Sequence, residues 1–426
     1  MQVVRRYLTI IIAASTFLSG LGVGYLLSTL YSERPEYTVG IVYPMSGRLD
    51  WWAGDGQPII DAAKRDVQEM LNETGSDAKF LFPFADSRST GEGALAAVEN
   101  VVAAGSQIVV GLPTSFEVEA ALAYVSGLGI PVISPASTAS HLSIPDSVFR
   151  LSTPENYRAR IGAELALSMN FTQVVVIHRD EDWGNAYAET VTEAFQEKDL
   201  PTYKIPFEPS HTFYRNYSSE VKELETLVQG EEHTLAYLVA WENEDYSILD
   251  EARRSPTLSG IRWLTAAMYP SLIERVTMFG MAEDLRDFAL TVDLWAPEQR
   301  PIVNDLTVRL MEESRSRLGH YPSYEHVYLY DSVMIAARAL LAAGSGESDI
   351  LSTVIPQVAE TYFGATGHKP LDANGDLQTE DTAFIGVVKE DDAYELGYYA
   401  FHAGSRDEFT ILGEPQERSW FFSPQA

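Results

Sequence analysis

The 426-residue chain carries 61 acidic against 30 basic side chains, a formal net charge of −31, with 46% hydrophobic residues and no cysteine. That apolar content can build a core, and at roughly 150 residues per domain the length allows two to three compact units. The charge argues against a nucleic-acid partner, because nothing here offsets phosphate repulsion. The missing cysteine excludes disulfides, thiolate metal sites, iron–sulfur clusters and a lipid anchor on cysteine.

Arg5 and Arg6 precede a charge-free run from Leu8 to Tyr31. At 1.5 Å per residue that run can cross a bilayer of roughly 30 Å. The following Ser32-Glu33-Arg34-Pro35-Glu36 has no excess of positive charge. The positive-inside rule therefore puts the terminus in the cytoplasm and everything from about Pro35 outside. The expectation is a single-pass anchor through residues 8–31, with a cleaved signal peptide as the alternative. Sequons at Asn72, Asn170 and Asn216 fit an external location but add little.

Beyond the anchor, short β-branched runs alternate with segments of helical period. Thr38–Tyr43 reads as a strand, Ile59–Leu71 as a helix and Phe80–Phe84 as a strand. Ala94–Ala104 reads as a helix, Ile108–Val110 as a strand, Glu117–Ser126 as a helix and Val132–Ser134 as a strand. Continuous apolar strands joined by helices indicate a parallel sheet covered on both faces. The pattern restarts after Pro154. Helices at Arg158–Met169, Ala186–Glu197, Ser219–Val228 and Tyr246–Arg254 alternate with strands at Val174–Ile177, Tyr203–Phe207, Leu235–Val239 and Arg262–Thr265. Arg150–Pro154 and Thr291–Pro297 read as crossings between two lobes. Helices at Ile302–Leu318 and Val327–Ala343 follow, then strand signals at Phe384–Val388 and Leu396–Phe401.

In such sheets ligands sit outside the carboxyl ends of the strands. Two hydroxyl-bearing loops lie there, Gly111–Ser115 and Ser134–Thr138, each opening a helical start. N–H groups at a helix start with hydroxyls beside them suit a carboxylate. Ordinary helix capping by Ser115, Ser137 and Thr138 is the plainer explanation. Trp51, Trp52, Trp183, Trp241 and Tyr269 also fall on loops that follow strands, where they could flank a ligand or simply pack between lobes.

These segments carry a resemblance. "VGIVYPMSG" near the start, the stretch Phe84–Ser115, "GIPVISPASTASHL", "FRLSTPENYRARIGAELA", "VVVIHRDEDWGNAYAE" and "YFGATGHKPLDANGDL" occur in the order found in type I periplasmic solute-binding proteins. They resemble the branched-chain amino acid branch of ABC transport. The resemblance implies an α/β fold, periplasmic-binding-protein-like I, with two doubly wound parallel-sheet lobes on a three-crossing hinge. Residues 1–36 would be the signal anchor or signal peptide with a short linker. Lobe 1 would comprise 37–155 plus 296–370, and lobe 2 156–295 plus 371–426.

The resemblance also implies a ligand site and a role. Ser115, Ala136, Ser137 and Thr138 would hold the solute in lobe 1. Trp183 and the 240–246 loop, with Trp241, Glu242 and Asp245, would cover it from lobe 2, beside Met268. Relatives often carry an acid after the strand Arg262–Thr265, and here the residues are Ala266-Ala267-Met268-Tyr269. An α-amino acid ligand would then need its acid elsewhere, from Glu242 or Asp245, because a buried unpaired ammonium costs several kcal/mol. The implied role is capture of an amino acid, amide or small carboxylate for an ABC-type permease, without catalysis or cofactor. The alternative is a ligand-sensing ectodomain that reports to a membrane receptor partner.

Other motifs fail. Asp372-Ala-Asn374-Gly-Asp376 begins like a calcium loop but has Leu377 where glycine is needed and Ala383 where a bidentate glutamate is needed, so a polar turn is expected. The eight histidines show no zinc spacing. There is no Gly-x-Ser-x-Gly elbow, and no histidine is placed to activate Ser115 or Ser137.

Overall fold

The computed structural model describes residues 34–209, 215–228, 233–240, 242–266, 296–299, 304–322, 326–390, 393–403 and 408–417. The expected anchor at 8–31 lies outside them.

The first sheet is built on β1 (Glu36–Tyr43), buried along all but its first residue. β2 (Lys79–Leu81) and β3 (Phe84–Asp86) pair with one edge of β1. On the other side follow β4 (Ile108–Gly111), β5 (Val132–Ser134) and β6 (Val148–Arg150), all parallel. The expected single strand over Phe80–Phe84 is two, because Pro83 lacks the N–H that a continuous ladder needs.

Alternation along β1 feeds two cores. Val39, Ile41 and Tyr43 pack with α1 (Asp50–Thr74) and, from much later in the chain, α8 (Asp305–Leu318), α9 (Val327–Ala343) and α10 (Ser348–Thr361). Val42 faces α2 (Gly91–Ala103) and α3 (Ser115–Leu128).

Helix α1 starts nine residues before the expected Ile59. A Cβ on Gly56 would lie 2.4 Å from the Tyr43 ring, so this glycine lets the first turns sit flat on β1 and packing overrides propensity. Trp51 and Trp52 therefore belong to the first turn of a helix, not to a loop. Helix α10 and strand β6 were not expected. Pro356 inside α10 reads as a breaker, and β6 is only three residues long.

The second sheet has the order β10-β9-β7-β8, again all parallel. Its strands are β7 (Gln173–Arg179), β8 (Thr202–Phe207), β9 (Thr234–Val239) and β10 (Arg262–Thr265). Val174 and Val176 pack under α4 (Glu155–Ser168) and α5 (Asp182–Gln196). Val175 and Ile177 face α6 (Ser218–Val228) and α7 (Glu242–Ala252).

A third sheet, antiparallel, was not anticipated. It joins β11 (Ala296–Gln299), β14 (Thr382–Glu390), β15 (Ala393–Ala403) and β16 (Glu408–Glu417); a small hairpin, β12 (Phe363–Gly364) with β13 (Gly367–His368), precedes it. Ala383, Phe384 and Ala400 insert into the cores of the second sheet. Strand β16 holds Pro415 and three glutamates, poor strand formers that an edge position tolerates.

The chain thus leaves the first core after β6, returns to it at α8, and departs again along 371–381. The outgoing and final passages are joined: Arg150 pairs through two nitrogens with Asp376, at 2.5 and 2.6 Å, with both side chains about 1% exposed. Backbone bonds from Arg150 N to Gly375 O and from Leu377 N to Arg150 O flank the pair.

Candidate functional site

At the tip of β4 the backbone turns left-handed. Gly111 has φ 118°, and its Cβ, if present, would lie 1.8 Å from Val42 O; Leu112 follows at φ 52°. This sharp turn delivers Thr114, not Ser115, to the N-cap of α3, where Glu117 completes a capping box. The Glu117 carboxylate is fully buried. It accepts hydrogen bonds from Ser87 Oγ (2.5 Å), Thr114 Oγ1 (2.7 Å) and Thr114 N (3.1 Å). Burial raises its pKa, and these donors oppose the rise.

Because Thr114 takes the cap, Ser115 points its hydroxyl at the next loop. Ser115 Oγ lies 3.1 Å from Ser137 Oγ and accepts from Thr138 N (3.3 Å) and Ala139 N (3.1 Å). The loop itself is pinned from behind. Ser152 Oγ donates to Pro135 O (2.8 Å), and Arg150, held by Asp376, donates to Ala139 O (2.7 Å). Ser115, Ser137 and Thr138 are therefore brought together at adjacent strand tips. Ser137 is completely buried, whereas Ser115, Ala136 and Thr138 remain partly exposed.

From Thr138 the contacts run to α4. Thr138 Oγ1 donates to Glu155 Oε1 (3.2 Å), and Glu155 N donates to Thr138 O (2.8 Å). Burial pushes the Glu155 carboxyl above the ordinary glutamate range. Arg158, the Thr138 hydroxyl and the Trp183 indole N–H act in the opposite direction. Trp183 stands in the first turn of α5, its ring 5.9 Å from Tyr187. It is thus a helix residue rather than a loop residue, and it bears on the same carboxylate that Thr138 contacts.

Arg158 is itself engaged by Glu380 at 3.1 Å, and the Tyr157 hydroxyl donates to Glu380 O. Sequence reasoning missed Glu155. Without β6, "STPEN" reads as a bare crossing rather than as a loop after a strand, the one signal that marks it.

The remaining expected residues divide. Asp245 is buried on α7. Its neighbour Glu244 forms a buried ion pair with Arg179 at 2.6 Å, a charge partner unavailable to a solute. Glu242 opens α7, but its side chain lies outside the described residues, as do Trp241, Met268, Tyr269 and the Trp51 side chain. Trp52 stacks on Tyr43 and meets His326 edge-on, so it packs in the first core. His326 is buried, 2.5 Å from the Tyr43 hydroxyl through Nδ1 and 3.7 Å from Asp55 through Nε2.

Among the described residues no group of three or more histidine, aspartate or glutamate side chains is arranged to hold a metal. In the Asp372–Asp376 turn, Asp372 Oδ1 accepts from Asn374 N and Asp376 N, while Asp376 faces Arg150. Its carboxylates serve the turn and the buried pair.

The comparisons agree with this architecture. A protein of Methanocaldococcus jannaschii, described as uncharacterized, is 21% identical over 403 residues, covering 89% of this chain and 94% of its own. The closed Brucella ovis leucine-, isoleucine-, valine-, threonine- and alanine-binding protein superposes with a TM-score of 0.66 at 16% identity, over 89% of this chain and 98% of that one. An ABC-transporter solute-binding protein of Rhodopseudomonas palustris, in complex with 3,4-dihydroxybenzoic acid, gives 0.59 at 15% identity over 87% and 98%. The profile described as "Receptor family ligand binding region" matches residues 58–389. With that match over most of its length and these folds beside it, the chain belongs to the receptor ligand-binding-region family and has the fold of type I periplasmic binding proteins.

Proposed function

We propose that this protein captures a small carboxylate-bearing or amino-acid-like solute between its two lobes, outside the cytoplasm, and hands it to an ABC-type permease. Capture rather than chemistry is the reading that suits Ser115 and Ser137, which have hydroxyl and amide neighbours instead of a base. The observation that carries it is the junction of Ser115, Thr138 and Glu155 at the tips of β4, β5 and β6. Hydroxyls and loop N–H groups there suit a carboxylate, and the Glu155 carboxyl beside them suits an ammonium. An α-amino acid presents both groups within a few ångströms. Trp183, against Glu155, would cover the solute from the second lobe as the hinge closes.

The relatives support this reading by what they bind: leucine, isoleucine, valine, threonine and alanine in one case and an aromatic carboxylate in another, with a carboxylate in common. Residues 8–31 would tether the protein to the membrane. The receptor-family profile also supports a second reading, a ligand-sensing ectodomain. A permease or a receptor recovered with the protein would separate the two.

Calorimetry of the purified outer part against amino acids, amides and small carboxylates tests the main reading. Saturable binding weakened by Ser115→Ala and Thr138→Ala is expected. Silence across the panel, or a binder indifferent to both substitutions, would overturn it.

A further inference from the structure

A cavity lies beside the final passage of the chain, and neither Ser115 nor Thr138 lines it. Its volume is about 170 Å³, with room for a solute of several heavy atoms. Tyr328 from the start of α9, Phe363 and Thr366 from the β12–β13 hairpin, and Lys369, Glu380 and Asp381 from the passage line it. Phe363 is 66% exposed at its edge, while Lys369 is 1% exposed.

The environment of Lys369 is unusual. Its Nζ sits 4.3 Å from the Tyr328 ring centroid, and among the described residues it has no hydrogen-bond acceptor and no carboxylate within 4 Å. The two acids whose charge bears on it are already occupied. Asp331 accepts from Tyr362 Oη, Ala365 N, Thr366 N and Thr366 Oγ1. Glu380 faces Arg158. An ammonium carries three N–H donors, and a π face satisfies them only weakly. Burial accordingly pushes Lys369 down to about 8, with Asp331 and Glu380 opposing.

We infer that this cavity is a second binding site, for a small carboxylate with a short apolar body, in which Lys369 pairs the carboxylate and Tyr328 and Phe363 face the body. A carboxylate supplies the acceptors that the buried ammonium lacks, and the Glu380 and Asp381 carboxylates on the same wall disfavour a multiply charged anion such as phosphate. The position gives the site a consequence. Glu380 lies on the passage between the cores and Lys369 just before it, and Glu380 is tied to Tyr157 and Arg158 of α4, whose first residue contacts Thr138. An occupant would bear on the segment that has to move when the lobes close.

The test is equilibrium binding of formate, propionate and phosphate to the whole chain at constant ionic strength, from pH 7 to 9.5. Propionate is expected to bind more tightly than formate or phosphate, and its affinity to fall as pH rises past about 8, where Lys369 loses its proton. Lys369→Met should weaken propionate about tenfold or more. Phe363→Ala, at an exposed position that the fold tolerates, should weaken propionate more than formate. The affinities are read in the Ser115→Ala background, where binding in the cleft is weakened, so that what Lys369→Met and Phe363→Ala change there belongs to this cavity. No propionate binding, binding that survives Lys369→Met, binding lost in Ser115→Ala, or equal affinity for phosphate would each overturn the inference.

Discussion

Thr138 and Glu155 are joined twice, by a hydroxyl-to-carboxylate bond of 3.2 Å and by a backbone bond of 2.8 Å from Glu155 N to Thr138 O. Thr138 follows the last strand but one of the first sheet, whereas Glu155 opens the first helix packed on the second. One short contact therefore spans the outgoing passage at the proposed solute site, and it places an acid beside the hydroxyls without drawing on the stretch after β10.

Glu155→Gln should weaken an ammonium-bearing solute by roughly 1–3 kcal/mol, about ten- to hundredfold, and leave a simple carboxylate much less affected. The pH dependence follows from the raised carboxyl. An ammonium needs the ionised form, so wild-type affinity should fall with acidification at a pH above the ordinary glutamate value of 4.5. The glutamine variant should show no such fall. Calorimetry at stepped pH reads both, and identical profiles would remove Glu155 from the site.

Ser115→Ala removes the oxygen that receives Thr138 N and Ala139 N. The cap of α3 belongs to Thr114 and Glu117, so the thermal midpoint should move little while solute affinity drops about tenfold. A large loss of stability with unchanged affinity would make Ser115 a loop fastener only.

Asp376→Asn leaves the buried Arg150 guanidinium without its anion. Breaking a buried pair by removing one partner costs about 3–5 kcal/mol, and Arg150 also holds the Ala139 carbonyl behind Thr138. Urea unfolding should report a lower midpoint, with solute affinity falling in the same variant. A change within 0.5 kcal/mol would contradict this account.

His326 is buried and its pKa is pushed down to about 4, chiefly by desolvation, with Asp55 opposing. A histidine depressed from 6.5 favours the folded state above 6.5, and that contribution is lost as pH falls toward 4. The difference corresponds to about 3 kcal/mol. Unfolding free energy measured from pH 7 to 4 should decline over this window. His326→Phe should decline less steeply, with the Tyr43 hydroxyl, now 2.5 Å from Nδ1, losing this contact at all pH values.

Much of the α/β alternation was legible because parallel strands buried on both faces are written as unbroken β-branched runs, as in β1, β7 and β9. Boundaries were less so. The first two turns of α1 hold two glycines ahead of Pro58 and are helical because they lie against Tyr43, a contact that local propensity does not encode. The strand signals at Phe384–Val388 and Leu396–Phe401 fall within β14 and β15, but the edge strand β16 escaped because it holds three glutamates and a proline. In the candidate site, the hydroxyl loops could be placed from strand ends alone, but Glu155 required knowing that β6 exists.

Periodicity and the spacing of loops by themselves determined that this chain builds doubly covered parallel sheets with hydroxyl-bearing turns at their carboxyl edges. That information is local, carried by side-chain size and the absence of Cβ at turns. Only the tertiary structure decided which charges meet, because Arg150 with Asp376, Thr138 with Glu155 and Lys369 with Tyr328 are paired by packing between segments. A buried ion's partner is fixed by proximity in space, where low dielectric makes each such encounter count.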